Sequence, residues 1–508
     1  MANRLTQFAV ENLQAGGNPR ARVTQVAYEV LERLSVPPPP SPPAPASSVA
    51  QTAPLVPGYT QLTQAGALTI LGRRLGDPNF IYWSQGELRL YIAEALRTWQ
   101  ALTSWYRARS TISSASSQQW YDLASVDSGA YGYHLADTDL LAVMLYHLLE
   151  AQLSGTTWAG TAQFSLALCQ GAIQNRINKF LADSGAVVYR VLQPSGTLTG
   201  DGRVLIQPTF IDVRRMVWTP GSGASSVLWR EDEWGMSAFL MNWRAPGTPQ
   251  VYSQAAAPPA NVQLAPPPAS AGTLDMLLVP TGPHLNIPGG STVLPVPDDF
   301  TWGIKWGALA DLLSSDGVAQ DEARAAYCEQ RYQQCVQLAK IFPAVLQVSI
   351  SGAPVWIGSV WELDAYSTGW QNAAAGTPGF AGLAGRNLLA LSPPPSGSNA
   401  VTLDLVQNIP VPGTDTDYLQ VPGDVLPVLI DYIIHLASFK MGGQEFAQTQ
   451  LQMTNFLLTA GAYNNRLRQL ATYNDALRSS ALRDYDQNPR LDNPLLTAYS
   501  PSGAGNGK

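Results

Sequence analysis

Charge is scarce in this sequence: Asp, Glu, Lys and Arg make up 13% of its 508 residues, about half the usual quarter. A surface so sparsely charged must rely on Gln, Asn, Ser, Thr and aromatic side chains. It suits broad protein–protein contact better than a freely diffusing life. The net charge of −7 argues against a general role in holding exposed nucleic acid, where Lys and Arg must neutralise phosphates. Brief passage of DNA through an acidic ring is compatible with it, because such a wall repels the duplex. Cysteine is scarce as well. Cys169, Cys328 and Cys335 are an odd set without paired spacing, which argues against a disulfide framework. Cys328 and Cys335 lie about two helical turns apart, roughly 10 Å, too far for a bond, and read as core thiols folded in a reducing cytoplasm. No apolar run reaches the length of a membrane-spanning helix. Met1 to Gln14 lacks the basic-then-apolar order of a signal peptide.

Recognisable chemistry is also missing. The histidines His134, His147, His284 and His435 stand in no metal-ligand spacing. There is no phosphate-cradling loop and no nucleophile elbow. Glu231, Asp232 and Glu233, flanked by Trp229 and Trp234, faintly resemble a sugar platform, and Glu362 and Asp364 sit in a matching stretch further on. Adjacent acids on a strand point to opposite faces, so a solvated turn accounts for them better than a carboxylate pair does. The tryptophans are not interleaved with Lys or Arg, which favours core packing over base stacking. We therefore assign no catalytic, cofactor-binding or metal-ligating residue, and read the chain as a non-enzyme.

What the chain does have is organisation. Residues 1–35 read as an amphipathic helical arm, with Val26 and Val30 on its apolar stripe, and residues 36–57 as a stiff proline-rich linker. From 58 to 345 the pattern is a helical bundle carrying a β insertion at about 185–297. Its opening helix pair breaks at Gly76-Asp77-Pro78. The second of these helices starts at Ser84 with Glu87 three residues on, and has Leu88, Ile92 and Trp99 on one face. Further helices are expected at about 137–153, 158–182, 298–314 and 319–342. Residues 346–485 follow as a second β unit with closing helices, the last running from Glu445 to about Tyr485 with Phe456 and Leu470 on its apolar side. Residues 486–508 form a tail. The expected fold class is α+β.

The strongest signal is an internal repeat. Residues 227–342 and 360–463 pass through the same landmarks in the same order. Val227-Leu228-Trp229-Arg230-Glu231-Asp232 answers to Val360-Trp361-Glu362-Leu363-Asp364. Pro246-Gly247-Thr248-Pro249 answers to Gly376-Thr377-Pro378-Gly379, and Leu264-Ala265-Pro266-Pro267-Pro268 to Leu391-Ser392-Pro393-Pro394-Pro395. Thr273 to Met276 then matches Thr402 to Leu405, and Val296 to Asp299 matches Val421 to Asp424. In a ring, two such copies in one chain would double the number of similar wedges without doubling the chains.

The stretch Leu75-Gly76-Asp77-Pro78 … Tyr82-Trp83-Ser84-x-x-Glu87-Leu88 … Tyr91-Ile92-x-Glu94-Ala95-Leu96-Arg97-Thr98-Trp99 resembles the opening helices of phage head–tail adaptor proteins. That family includes the tail tubular or gatekeeper proteins of short-tailed phages. Pro297-Asp298-Asp299-Phe300, Ala308 to Leu313 and Ala323 to Lys340 resemble its closing pair. The resemblance spans about 58–342. It implies a structural virion protein in the neck, assembled in the host cytoplasm. It further implies a dodecameric or related ring, sixfold where two repeats act as pseudo-equivalent wedges, joining portal protein to tail or nozzle proteins around passing double-stranded DNA. No cofactor follows from it. Subunit contacts would then use apolar helix faces, for which Leu88, Ile92, Trp99, Val26, Val30, Phe456 and Leu470 are the candidates. The alternatives are another virion component (baseplate, tail tip or minor capsid) and a carbohydrate-binding adhesin using its Trp-rich β units.

Overall fold

A computed structural model describes residues 62–123, 135–150, 163–194, 201–221, 223–240, 242–255, 261–285, 291–341 and 344–473. The expected arm, linker and tail, with Val26 and Val30, lie outside these residues, as does the final helix beyond Tyr473. The fold is α+β.

The chain opens with helices α1 (Gln64–Arg74) and α2 (Gln85–Thr103), capped at their starts by the Thr63 and Ser84 hydroxyls. Strands β1 (Arg107–Ser113) and β2 (Trp120–Asp122) follow. Then come α3 (Asp137–His147), α4 (Leu166–Ser184), β3 (Tyr189–Pro194), β4 (Arg203–Leu205), β5 (Phe210–Pro220) and β6 (Ser226–Arg230). Helix α5 (Glu233–Phe239), strands β7 (Val251–Gln254), β8 (Asn261–Ala265) and β9 (Gly272–Pro280), and helices α6 (Thr301–Ser314) and α7 (Glu322–Ile341) complete the middle of the chain. The last part holds β10 (Val345–Ile350), β11 (Ala353–Ser359), α8 (Val360–Tyr366), β12 (Phe380–Ala384), β13 (Leu388–Ser392), β14 (Ala400–Val406), α9 (Leu426–Ser438), α10 (Gly443–Gln448) and α11 (Gln450–Tyr473).

Helix α3 stops six residues short of the expected 153, where Leu149 takes a positive φ of 59°. The closing helix divides at Thr449 into α10 and α11. There the Thr449 hydroxyl donates to the Phe446 carbonyl instead of standing free on a continuous helix.

Strand pairing does not divide the chain at residue 345. The strands form two seven-stranded sheets, ordered β1-β14-β10-β11-β12-β13-β2 and β3-β9-β5-β6-β7-β8-β4. The first two strands of the chain therefore belong with the last five. An inner set of elements, α3 to α7 with β3 to β9, is inserted between β2 and β10 of an outer set.

The two sheets are copies in order, sense and register. Each has one parallel pair, β11 with β12 and β6 with β7, among antiparallel ones. Met216 lies between Met276 and Leu228, and Val348 between Leu403 and Val355. A register shift falls just before each, at Val213/Arg215 and at Val345/Gln347. Ala265 faces Val251, and Ser392 faces Phe380, so the proline landmarks coincide. Gly247 bridges Pro268 as Gly376 bridges Pro395.

Two of the landmarks need correction. The registers place Met276 over Leu403, two residues from the expected partner, because an alternating apolar pattern matches itself at every second residue. Trp229 falls on Trp356, next to Leu228 and Val355, while Val360 to Asp364 is helix and answers to α5.

Each sheet curls over its own apolar core. Val345, Val348, Leu389, Leu391, Leu403 and Leu405 fill one, and Val213, Met216, Trp218, Val262, Leu264 and Leu278 the other. The helices share a third core. Within it α1, α2, α9 and α11 pack together as α3, α4, α6 and α7 do, and α2 also packs on α3, α6 and α7.

Packing is tight where α6 meets α7. A Cβ at Gly303 would collide with the Cys335 side chain, whereas one at Gly461 in α11 would meet open space. Gly303→Ala is expected to cost about 1–3 kcal/mol through overpacking. Gly461→Ala is expected to gain roughly 0.5–1 kcal/mol through helix propensity. Urea denaturation checks both, and equal effects would contradict the packing described.

Candidate functional site

Four of the seven candidate interface residues fall inside the chain. Leu88, Ile92, Trp99 and Phe456 are all completely buried. Trp99 packs against Phe456 and Tyr463, and Phe456 stacks on Tyr432 with ring centroids 4.1 Å apart. The α2 stripe is covered by α9 and α11, elements some 350 residues downstream, and Phe456 of α11 faces back into the same core, so these four offer no surface to a neighbour. Leu470 lies in α11, where its side chain is outside the described part, and Val26 and Val30 are outside it entirely.

Where α2 meets the inner helices, the core contains charge. Lys305 Nζ lies 2.5 Å from Glu94 Oε2 and 3.0 Å from His147 Nε2. Trp306 Nε1 donates to the other Glu94 oxygen at 3.0 Å. On the far side of the histidine, Nδ1 lies 3.5 Å from the Tyr91 hydroxyl, which donates to Glu87 Oε1 at 2.8 Å. Glu87 Oε2 accepts from Lys440 at 2.9 Å, and Lys440 also donates to the Tyr82 carbonyl.

This donor order fixes the histidine tautomer. An ammonium has only protons to give, so Nε2 accepts and Nδ1 carries the hydrogen towards Tyr91. Burial, followed by the Lys305 charge, holds the His147 pKa well below its ordinary value, so the ring is neutral. Burial pushes Lys305 down to about 8 against the opposing pull of Glu94. It also raises Glu87, against Lys440 and Tyr91.

A second contact of this kind lies between α7 and α9. Arg331 Nη2 donates to the Tyr432 hydroxyl at 2.5 Å, with the guanidinium over the Trp302 ring. The Tyr327 hydroxyl lies 2.7 Å from His435 Nε2. His435 is pushed down to about 3, first by burial and then by Arg331.

A Glu–Lys–His–Tyr cluster with displaced pKa values is the usual mark of a catalytic centre. Here every member is buried in one packed core, and the members come from α2, α3, α6 and the residues after α9. Its role is to join the inner set to the outer set. The sequence reading missed it, although a signal was available: Lys305 stands alone among apolar residues in Trp302-Gly303-Ile304-Lys305-Trp306.

The sheets make a matching junction. Arg215 of β5 forms a bidentate pair with Asp364 of α8, at 2.6 and 2.5 Å, and is itself 2% exposed. Trp370 Nε1 donates to the same carboxylate. Asn387 exchanges two hydrogen bonds with the Val188 backbone. Of the acids weighed for catalysis, Asp232 caps α5, Glu362 completes the capping box of α8 by accepting from the Ser359 N–H, and Asp364 serves this junction. No group of three or more metal-ligating side chains occurs among the described residues. No described helix is long and apolar enough to cross a membrane.

Residues 138–347 match a family model described as SU10 adaptor protein. The match runs from the second residue of α3 to the start of β10 and so coincides with the inner set. Among curated proteins, none matches the chain.

Removing Lys305 alone strands Glu94 in the core. Lys305→Met is expected to lower stability by about 3–5 kcal/mol, and Lys305→Met with Glu94→Gln to recover at least half of that loss. Urea unfolding of the wild type, the two single variants and the double variant measures the coupling. A double variant no better than the worse single one would contradict the pairing.

Proposed function

We propose that this chain is a structural virion protein that forms a ring at the portal vertex, joins capsid to tail and lines part of the DNA passage. The observation that carries the proposal is the adaptor-family match to the inner set. The outer set repeats the sheet topology of that matched region, so the chain carries two adaptor-like units. The weakly charged, net acidic composition agrees with this role: it suits extended protein contact and would let DNA slide past without binding.

The portal protein on one side and tail or nozzle proteins on the other are the partners this reading requires. Another place in the virion, such as a baseplate, would share the family likeness but not the portal contact. Co-expression of the full chain with the portal protein of the same phage, followed by affinity capture and negative-stain imaging, tests the assignment. A ring of this chain seated on one face of the portal is the expected image. Its absence at micromolar concentrations, with both proteins folded, would overturn the reading.

A further inference from the structure

The junction inside the chain is one-directional. Asp364, fifth residue after the α8 cap Ser359, meets Arg215, the residue before Met216. Their counterparts in the other copies are Ser237, fifth after the α5 cap Asp232, and Gln347, the residue before Val348. A two-fold relation between the sets would bring Ser237 and Gln347 together as well. Both are exposed. The sets are therefore related head to tail, and one copy of each joining face is left over.

Both leftover faces have an unspent character. On the inner set, Trp234 is 86% exposed, against 46% for its counterpart Trp361. Trp370, which closes the internal junction, is buried, while its counterpart Trp243 is only half-buried. On the outer set, the buried positions Met453, Phe456 and Ala460 of α11 repeat Ala325, Cys328 and Tyr332 of α7. That alignment lays Asn455 and Thr459 over Tyr327 and Arg331, the α7 residues that reach across to α9. Asn455 is exposed, and Leu451 and Leu458 beside it are 68% and 67% exposed.

We propose that these two faces take each other in successive copies of this chain. The α5 face of the inner set, with Trp234, Ser237 and Trp243, would seat on the β10 and α11 face of the outer set of a second copy, with Gln347 opposite Ser237. The intermolecular contact thus repeats the Arg215–Asp364 half of the intramolecular one. This inference rests on the ring assembly of the preceding reading and names its surface. A head-to-tail contact of this kind also gives a cover to Trp234, Leu451 and Leu458, which are exposed in the single chain.

Cysteine cross-linking of the full chain tests the proposal, because Cys169, Cys328 and Cys335 are all buried. Mixing Ser237→Cys with Gln347→Cys under mild oxidation is expected to give disulfide-linked dimers, while neither variant alone does so. Dimers from Ser237→Cys alone would mean a two-fold contact and overturn the proposal. Rings that form without the mixed cross-link would overturn the surface and leave the virion assignment standing. A chain that stays monomeric yet binds portal would do the same. As a second arm, Ser237→Asp with Gln347→Arg copies the internal ion pair. It is expected to lower the concentration for half-assembly on the order of tenfold, and no change or a rise would count against the pairing.

Discussion

The architecture turns on a charge that has no water. Once Lys305 is placed in the shared core, its ammonium can keep its charge only if Glu94 stands beside it and His147 accepts another of its protons. Those two partners sit on α2 and α3, so a single buried cation fixes three helices from both sets. Glu87 and Lys440 extend the same demand to the residues after α9. Apolar stripes alone would tolerate sliding of one helix pair on the other. Directional pairs in a medium of low dielectric do not, because a small displacement strands a charge.

That fixed junction gives the nested chain its mechanical sense. The inner set leaves the outer set after β2 and returns at β10, so its two ends are anchored in one sheet. Arg215 with Asp364, and Asn387 with the Val188 backbone, hold the sheets as the charged seam holds the helices. Two like units are thereby set in one fixed relation. A heterologous relation between like units is the geometry from which rings are built.

The sequence was legible wherever local chemistry decides structure. The helix start at Ser84, the proline-rich strand ends after Leu264 and Leu391, and the duplicated β units follow from caps, turns and repeated landmarks. It was less legible where distant segments meet. The faces of Leu88, Ile92, Trp99 and Phe456 read as unpartnered because nothing local says that α2 will be covered by α9 and α11. Residues 58–345 read as one unit because nothing in linear order announces that β1 will pair with β14, 295 positions away at Arg109 and Asp404. The two-residue slip at Met276 has another origin, since an alternating strand matches itself at every second residue.

The inner and outer sets are one body held by the buried seam. Native-state hydrogen exchange of the full chain reads this directly, through the opening free energies of amides in α2, α6, α7 and α9. A single shared opening energy across these four helices is predicted. Exchange of α2 and α9 through a lower-energy opening, with α6 and α7 still protected, would contradict it.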